Sequence, residues 1–249
     1  MALEENWHDD DSFWLAVEPF MFNKERWEGT AGEVDLLLKL VPLLPEAVIC
    51  DVGCGPGRFS LELARHGFRV IGIDRTEPYL HSGRNRAKAD GLYVEFVLAD
   101  MRSFVWPNAV DCAISMYTTF GFFEYAADNQ LVLENINRSL KDGGVLVMEM
   151  MGKEILARIF LPRGWDQAGG KYLLQERKVS KDWSWIENRW ILIDGRNRLD
   201  YIVSHWVYAA TELKKMLLDT GFDRVQFFGN LKGEPYDQNA ERLVAVAYK

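Results

Sequence analysis

The chain has 249 residues, a formal net charge of −8 and a hydrophobic fraction of 48%, enough for one large domain or one domain with an insertion. The acidic balance opposes nucleic-acid binding, which depends on Lys and Arg neutralising phosphates. No apolar run is long enough to span a bilayer, and the acidic start (Glu4, Glu5, Asp9, Asp10, Asp11) is unlike the basic start of a signal peptide.

In chain order, residues 1–30 form an arm rich in aromatic side chains, among them Phe13, Trp14, Phe20, Phe22 and Trp27. Val34–Leu44 follows; its first part reads as an amphipathic helix that ends before Pro42. Val48-Ile49-Cys50-Asp51-Val52 then reads as a buried parallel strand, and Gly53-Cys54-Gly55-Pro56-Gly57 as a tight glycine turn feeding a helix over Arg58–His66. Glycine there reaches backbone angles closed to other residues and lets a ligand lie against the main chain. Such turns occupy the C-terminal edge of open α/β sheets, where ligands bind. A dinucleotide fingerprint, G-x-G-x-x-G, would need its third glycine at position 58, which is Arg58.

Phe68–Asp74 is a second apolar strand ending in an acid, about 20 residues past the turn, the place of a ribose anchor. A helix carrying the basic cluster Arg84–Lys88 leads to a third strand, Tyr93–Leu98, which runs into Ala99-Asp100-Met101. Asp111–Met116 is a fourth strand leading into Tyr117-Thr118-Thr119. Gln130–Leu140 is helical, Lys141-Asp142-Gly143-Gly144 turns, and Val145–Met150 is a fifth strand. Beyond it, Glu154–Phe160 reads as a short helix broken by Pro162-Arg163-Gly164. Three long alternating runs, Tyr172–Val179, Trp183–Ile193 and Leu199–Tyr208, read as antiparallel strands, with Asp194-Gly195 as a hairpin turn. Trp183 and Trp185 are expected on one face of a strand. A helix over Thr211–Thr220, stopped by Gly221, precedes two last strands, Val225–Phe228 and Leu243–Tyr248. Cys50, Cys54 and Cys112 lack zinc spacing and are odd in number; they read as small buried hydrophobes of a cytoplasmic protein.

The order D-x-G-x-G-x-G, a strand-end acid, Ala99-Asp100-Met101 and "SLKDGG" before a strand resembles the class I S-adenosylmethionine-dependent methyltransferases, most strongly over residues 47–150. The resemblance implies an α/β, Rossmann-like fold with a mixed seven-stranded sheet, helices on both faces and a small inserted antiparallel sheet. It implies a single domain over 1–249: an arm or lid at 1–30, a donor-binding core at 47–150, and an inserted sheet at 165–209 covering the active site. It also implies S-adenosylmethionine as donor and S-adenosylhomocysteine as product, with no metal. Asp51, Gly53, Gly55, Asp74, Arg75, Asp100, Met101 and Met116 are its donor contacts. Arg26, after the aromatic arm, corresponds to a residue that meets the donor's carboxylate in resembling enzymes; an ordinary surface arginine is the other reading.

For the acceptor side, Tyr117 directly follows the fourth strand, beside the expected methyl position, and is the candidate for orienting the acceptor. Glu149 is a second acceptor contact or the partner of a basic neighbour. Trp14 is a third, as the arm's wall against a flat molecule. His205 is a candidate base or a satisfied sheet histidine. The implied reaction is in-line methyl transfer to nitrogen or oxygen of a small planar aromatic or heteroaromatic molecule, by a monomer or homodimer. The rivals are a nicotinamide-dependent oxidoreductase and a non-catalytic donor-binding module; the glycine spacing opposes the first, and methyl release would exclude the second.

Overall fold

The computed structural model describes residues 7–249, so Glu4, Glu5 and the start of the 1–30 arm lie outside the described residues. The central sheet has seven strands: β1 (Val48–Val52), β2 (Arg69–Asp74), β3 (Val94–Leu98), β4 (Val110–Ser115), β5 (Leu140–Met150), β10 (Arg224–Phe228) and β11 (Leu243–Tyr248). Their spatial order is β3-β2-β1-β4-β5-β11-β10, parallel from β3 to β5, with β11 antiparallel to both neighbours. The order reverses direction between β1 and β4, the place where open α/β sheets form a crevice at their C-terminal edge.

Alternation along the strands builds a core on each face. Cys50 and Val52 pack with α5 (Ala126–Ser139) and α7 (Ala210–Thr220), whereas Ile49 packs on the other side with α2 (Lys24–Leu40) and α3 (Arg58–Arg65). Helix α4 (Glu77–Ala89) links β2 to β3, and α6 (Lys153–Ile159) follows β5. The stretch Lys141–Gly144 is an irregularity inside β5 rather than a free turn: the pairing with β4 shifts register between Val110 and Cys112, and Gly143 has a φ of 77°.

The inserted sheet has four strands, not three: β6 (Arg163–Ala168), β7 (Lys171–Ser180), β8 (Trp185–Asp194) and β9 (Asn197–Trp206), in that order and all antiparallel. The breaker Pro162-Arg163-Gly164 hides β6, whose extended form comes from pairing with β7 rather than from its own composition. Trp183 does not share a strand with Trp185. Lys181, Asp182 and Trp183 all take left-handed φ values of 50°, 55° and 67° in the turn joining β7 to β8. Trp183 then packs on Phe160, and Trp185 on Trp206.

The arm runs as a short 3-10 helix (Trp7–Asp9), then α1 (Asp11–Met21), then α2. Asp10 caps α1 through its side chain, accepting from Ser12 N at 2.8 Å, and Asn23 caps α2 by accepting from Arg26 N at 2.9 Å. Phe13, Val17 and Phe20 repeat at helical spacing and are buried. They meet Val203, Leu173 and Leu192 of the inserted sheet, with Trp190 and Tyr201 beside them. The inserted sheet is therefore the backing of the arm.

Candidate active site

A cavity opens at the C-terminal edge of β1, β2 and β4. Its floor is built by backbone. Gly53 N–H and Cys54 N–H both donate to Ile73 O, at 2.8 and 2.9 Å, which locks the glycine turn to the end of β2. Gly53, Gly55 and Gly57 have φ of 72°, 56° and 83°, all in the left-handed region. A Cβ on Gly55 would stand 2.8 Å from the Phe22 ring, so this position requires glycine for close approach as well as for conformation.

Two acids sit under this floor, Asp51 buried and Asp74 half-buried. Asp74 accepts from Gly55 N at 2.8 Å and from Thr76 N at 2.8 Å, so it holds both the glycine turn and the start of α4. Burial pushes its pKa up, and the two backbone donors oppose that shift. Each of its oxygens keeps a second lone pair, which suits the two hydroxyls of a ribose. Asp51 accepts from Ser60 Oγ at 2.6 Å; burial pushes its pKa up to about 6 against that hydrogen bond.

At one end of the cavity, Ile73, Met101 and Phe123 form an apolar slot beside Asp100. Asp100 is held by Arg102 through Nη2 at 2.5 Å and Nε at 3.1 Å. Burial alone would raise the Asp100 pKa, but the Arg102 hydrogen bonds outweigh it and hold the group below its ordinary value. At the other end lie Arg26, Arg58 and the Tyr117 ring. These residues fit S-adenosylmethionine: a bare backbone cradle, a carboxylate pair for the ribose, a slot for a flat base with an acid at its edge, and guanidinium groups opposite.

The roof is made of side chains from the arm. Trp14 lines the cavity, and its Nε1 donates to His8 O at 3.1 Å. His8 also lines the cavity, edge-on to Phe123 at 5.1 Å; burial lowers its pKa, with the neighbouring Asp9 opposing. The core grips the arm through Arg75 Nη1, which donates to His8 O at 2.8 Å, and through the Tyr79 hydroxyl, which donates to Trp14 O at 2.5 Å. Trp7 Nε1 donates to Ser204 O of β9 at 2.9 Å.

The cavity brings together Trp14, Arg26, Asp51, Gly53, Gly55, Asp74, Arg75, Asp100, Met101, Met116 and Tyr117. Two expected acceptor-side residues lie elsewhere. His205 does not line it; the ring sits on β9, with Nδ1 2.9 Å from Trp206 O. Glu149 is buried behind the wall, accepts from Tyr117 N at 2.8 Å and is paired with Arg242. The Tyr117 hydroxyl is engaged as well, donating to Glu33. No residue of the inserted sheet reaches the cavity. Its role there is indirect: Trp206 N donates to Gly121 O at 2.8 Å and Trp206 Nε1 to Phe123 O at 2.9 Å, which braces the loop carrying Phe122 and Phe123. Among the described residues, no group of three or more His, Cys, Asp or Glu side chains is arranged to hold a metal ion, and no helix is long and apolar enough to cross a membrane.

Sequence reasoning did not single out Arg58, Glu33, His8 or Phe122. For Arg58 a signal was present: a charged residue immediately after three glycines, buried in the structure to 5% exposure. His8 has no comparable signal, because its place depends on the arm folding back.

Comparison with known proteins agrees with this geometry. Residues 49–144 match the model of the methyltransferase domain family. A protein of Geobacillus sp. (strain WCH70) that carries a methyltransferase name is 23% identical over 214 residues, covering 81% of this chain and 84% of that one. Curated relatives above 30% identity are matched over about half of their own length, for example 46% and 53%. An S-adenosylmethionine-dependent methyltransferase from Clostridium acetobutylicum superposes with a TM-score of 0.76 at 13% identity, over 96% of this chain and 98% of that one. The amino pentose methyltransferase CalS10 from Micromonospora echinaspora, solved with S-adenosylmethionine bound, gives 0.69 at 20% identity, over 94% and 96%. Residues 49–144 belong to the methyltransferase domain family, and the fold of the whole chain is that of S-adenosylmethionine-dependent methyltransferases, which together support an enzyme of this class.

Proposed function

We propose that the enzyme methylates nitrogen or oxygen of a small molecule, and that a planar or ring-shaped part of that molecule is held between Trp14 of the arm and Phe122 of the loop after β4. The observation that carries this reading is the lining of the cavity: its roof is aromatic and its polar floor suits the donor. Trp14 and Phe122 have ring centroids 6.3 Å apart, and Trp7 meets Phe122 at 4.9 Å. Aromatic walls favour flat partners through ring contacts worth about 0.5–1.5 kcal/mol beyond burial. A fold neighbour is named as an amino pentose methyltransferase, which supports a ring-shaped acceptor.

When bound, S-adenosylmethionine supplies a methyl group on a sulfonium, already a good leaving group, so the reading requires no metal. What the chain contributes is position and exclusion of water. Asp74 and the glycine turn fix the donor's sugar, Asp100 and Met101 its base, and Arg26 its carboxylate. The arm closes the top. A neutral amine needs no base to attack; a phenol does. His8 is the imidazole that lines the cavity, and its lowered pKa keeps it neutral and able to accept a proton at pH 7. His205 does not line the cavity. Three buried, unpaired thiols suit a cytoplasmic enzyme.

The test is methyl release from labelled donor with a panel of amino sugars, phenols, heteroaromatic amines and carboxylic acids. Turnover confined to ring compounds would support the reading. Turnover confined to open-chain carboxylates would overturn it.

A further inference from the structure

Between α2 and the end of β4 lies a charge cluster built around one ring. Three guanidinium carbons surround the Tyr117 centroid: Arg58 at 4.6 Å, Arg26 at 5.1 Å and Arg242 at 6.0 Å. Two carboxylates answer them. Glu149 holds Arg242. Glu33, on α2, accepts from the Tyr117 hydroxyl through one oxygen and from Arg58 Nη1 at 3.3 Å through the other. The hydroxyl and Nη1 are thereby tied to one carboxylate.

Arg58 is the member whose geometry matters most. It is buried, yet its side chain lines the cavity next to the glycine turn. Its Nη1 donates to Arg26 O at 2.5 Å, to Thr30 Oγ1 at 2.6 Å and to Glu33 Oε2. A guanidinium is planar and rigid, so anchoring Nη1 fixes where the other N–H groups point. The backbone at Tyr117 and Thr118 is unusual too. Both residues have left-handed φ, 58° and 62°, and Glu149 and Glu33 hold the segment from either side. Strain of this kind persists where the surroundings over-determine it, and such places cluster at ligand clamps.

We propose that Glu33 is a positioning residue for the amino-acid end of the donor. By fixing the Tyr117 phenol and Arg58 Nη1, it turns the remaining N–H groups of Arg58 toward the donor's carboxylate, beside Arg26. The proposal rests on reading this cavity as the donor site. It also reassigns Tyr117: its ring spaces the arginines and its hydroxyl is used for alignment, so its work is on the donor rather than the acceptor. Glu33 is itself negative and repels a carboxylate. Alignment and charge therefore predict opposite signs when Glu33 is removed.

Calorimetry with two probes separates them. S-adenosylhomocysteine carries the amino-acid end; 5′-methylthioadenosine has the same nucleoside and sulfur without it. Glu33→Ala should weaken S-adenosylhomocysteine by about tenfold, the loss of one well-placed charged hydrogen bond, and leave 5′-methylthioadenosine within about twofold. Glu33→Gln keeps an acceptor oxygen and should recover most of the loss. Tighter S-adenosylhomocysteine binding by Glu33→Ala would mean that charge dominates, and would overturn the proposal. So would equal weakening of both probes, which is the signature of a role in supporting the arm, or Glu33→Gln behaving like Glu33→Ala. If the wild-type chain binds 5′-methylthioadenosine but not S-adenosylhomocysteine, the carboxylate subsite itself is wrong. If it binds neither, the donor reading falls, and the proposal with it.

Discussion

The floor and the roof of the cavity are held by different means. The floor is held by main-chain donors at adjacent strand ends: Gly53 and Cys54 N–H to the Ile73 carbonyl, and Gly55 N–H to the Asp74 carboxylate across 19 residues. The roof is a set of side-chain contacts between distant segments. Trp7 reaches Ser204 across 197 residues, and Arg75 reaches His8 across 67. A backbone floor has little freedom to vary and recognises a constant ligand. A side-chain roof, seated on an inserted sheet, can be rebuilt without touching the floor. On the proposed reading, the division separates the donor, held by the floor, from the acceptor, met by the roof.

The contrast predicts that floor substitutions act on donor binding and roof substitutions on turnover. The largest effect is expected at Gly55→Val, where a side chain would run into the Phe22 ring at a backbone φ of +56°. Backbone strain alone costs roughly 1–3 kcal/mol, and the blocked surface adds to it. Donor affinity should fall beyond detection in calorimetry while circular dichroism shows a folded protein; normal binding would break the floor assignment.

Asp74→Ala comes next. It removes an acceptor from two backbone donors as well as from the ribose, each such bond being worth about 1.5–3 kcal/mol at most when the acceptor is charged. Roughly a 100-fold weaker donor complex and a lower melting temperature are expected together. Unchanged affinity in the folded variant would remove Asp74 from the site.

Asp51 sharpens the comparison through pH. Folding raises its pKa from an ordinary carboxyl value of about 3.9 to about 6, so the native state binds the proton more tightly than the unfolded chain. Its stabilising contribution is full below pH ~4 and is lost as the pH rises through ~6. Asp51→Asn keeps an acceptor for Ser60 and carries no charge. It should gain stability relative to wild type as pH rises from 4 to 8, by ~3 kcal/mol at most. A stability difference that is flat across that range, measured by urea unfolding, would show that burial does not govern this group.

The smallest effect is expected on the roof. Trp14→Ala should lower turnover by about tenfold while donor affinity stays within a few-fold, since one ring contact and partial burial are removed. A variant that keeps wild-type turnover would exclude Trp14 from the acceptor wall. One that melts early would make it part of the arm's own core.

The same contrast explains what the sequence reveals. The floor is legible because glycine spacing, strand-end acids and apolar runs are local, and local patterns survive translation into structure. All seven central strands appear where the apolar runs lie, within a few residues. The roof is not legible in this way. His8 and Phe122 acquire their place only when the arm folds back, and nothing near them in the chain records it. Tyr117 was placed correctly at the end of β4 but not its partners, because Glu33 and Arg58 come from α2 and α3. His205 and Glu149 stand on the expected strands, yet side-chain direction carries both away from the cavity. Of the tryptophans of the insertion, Trp190 packs beside the arm and Trp206 braces the loop, whereas Trp183 packs on Phe160.

The Trp7–Ser204 bond also sets an order of assembly. On the ribosome the arm emerges before its seat on β9, which is made 197 residues later. At roughly 5–20 residues per second, that is about 10–40 s during which Phe13, Val17 and Phe20 have nothing to cover them. The central sheet can form in that interval from neighbouring strands, and the inserted sheet after it. The arm is therefore synthesised well before its seat, and until that seat forms it presents a short apolar helix.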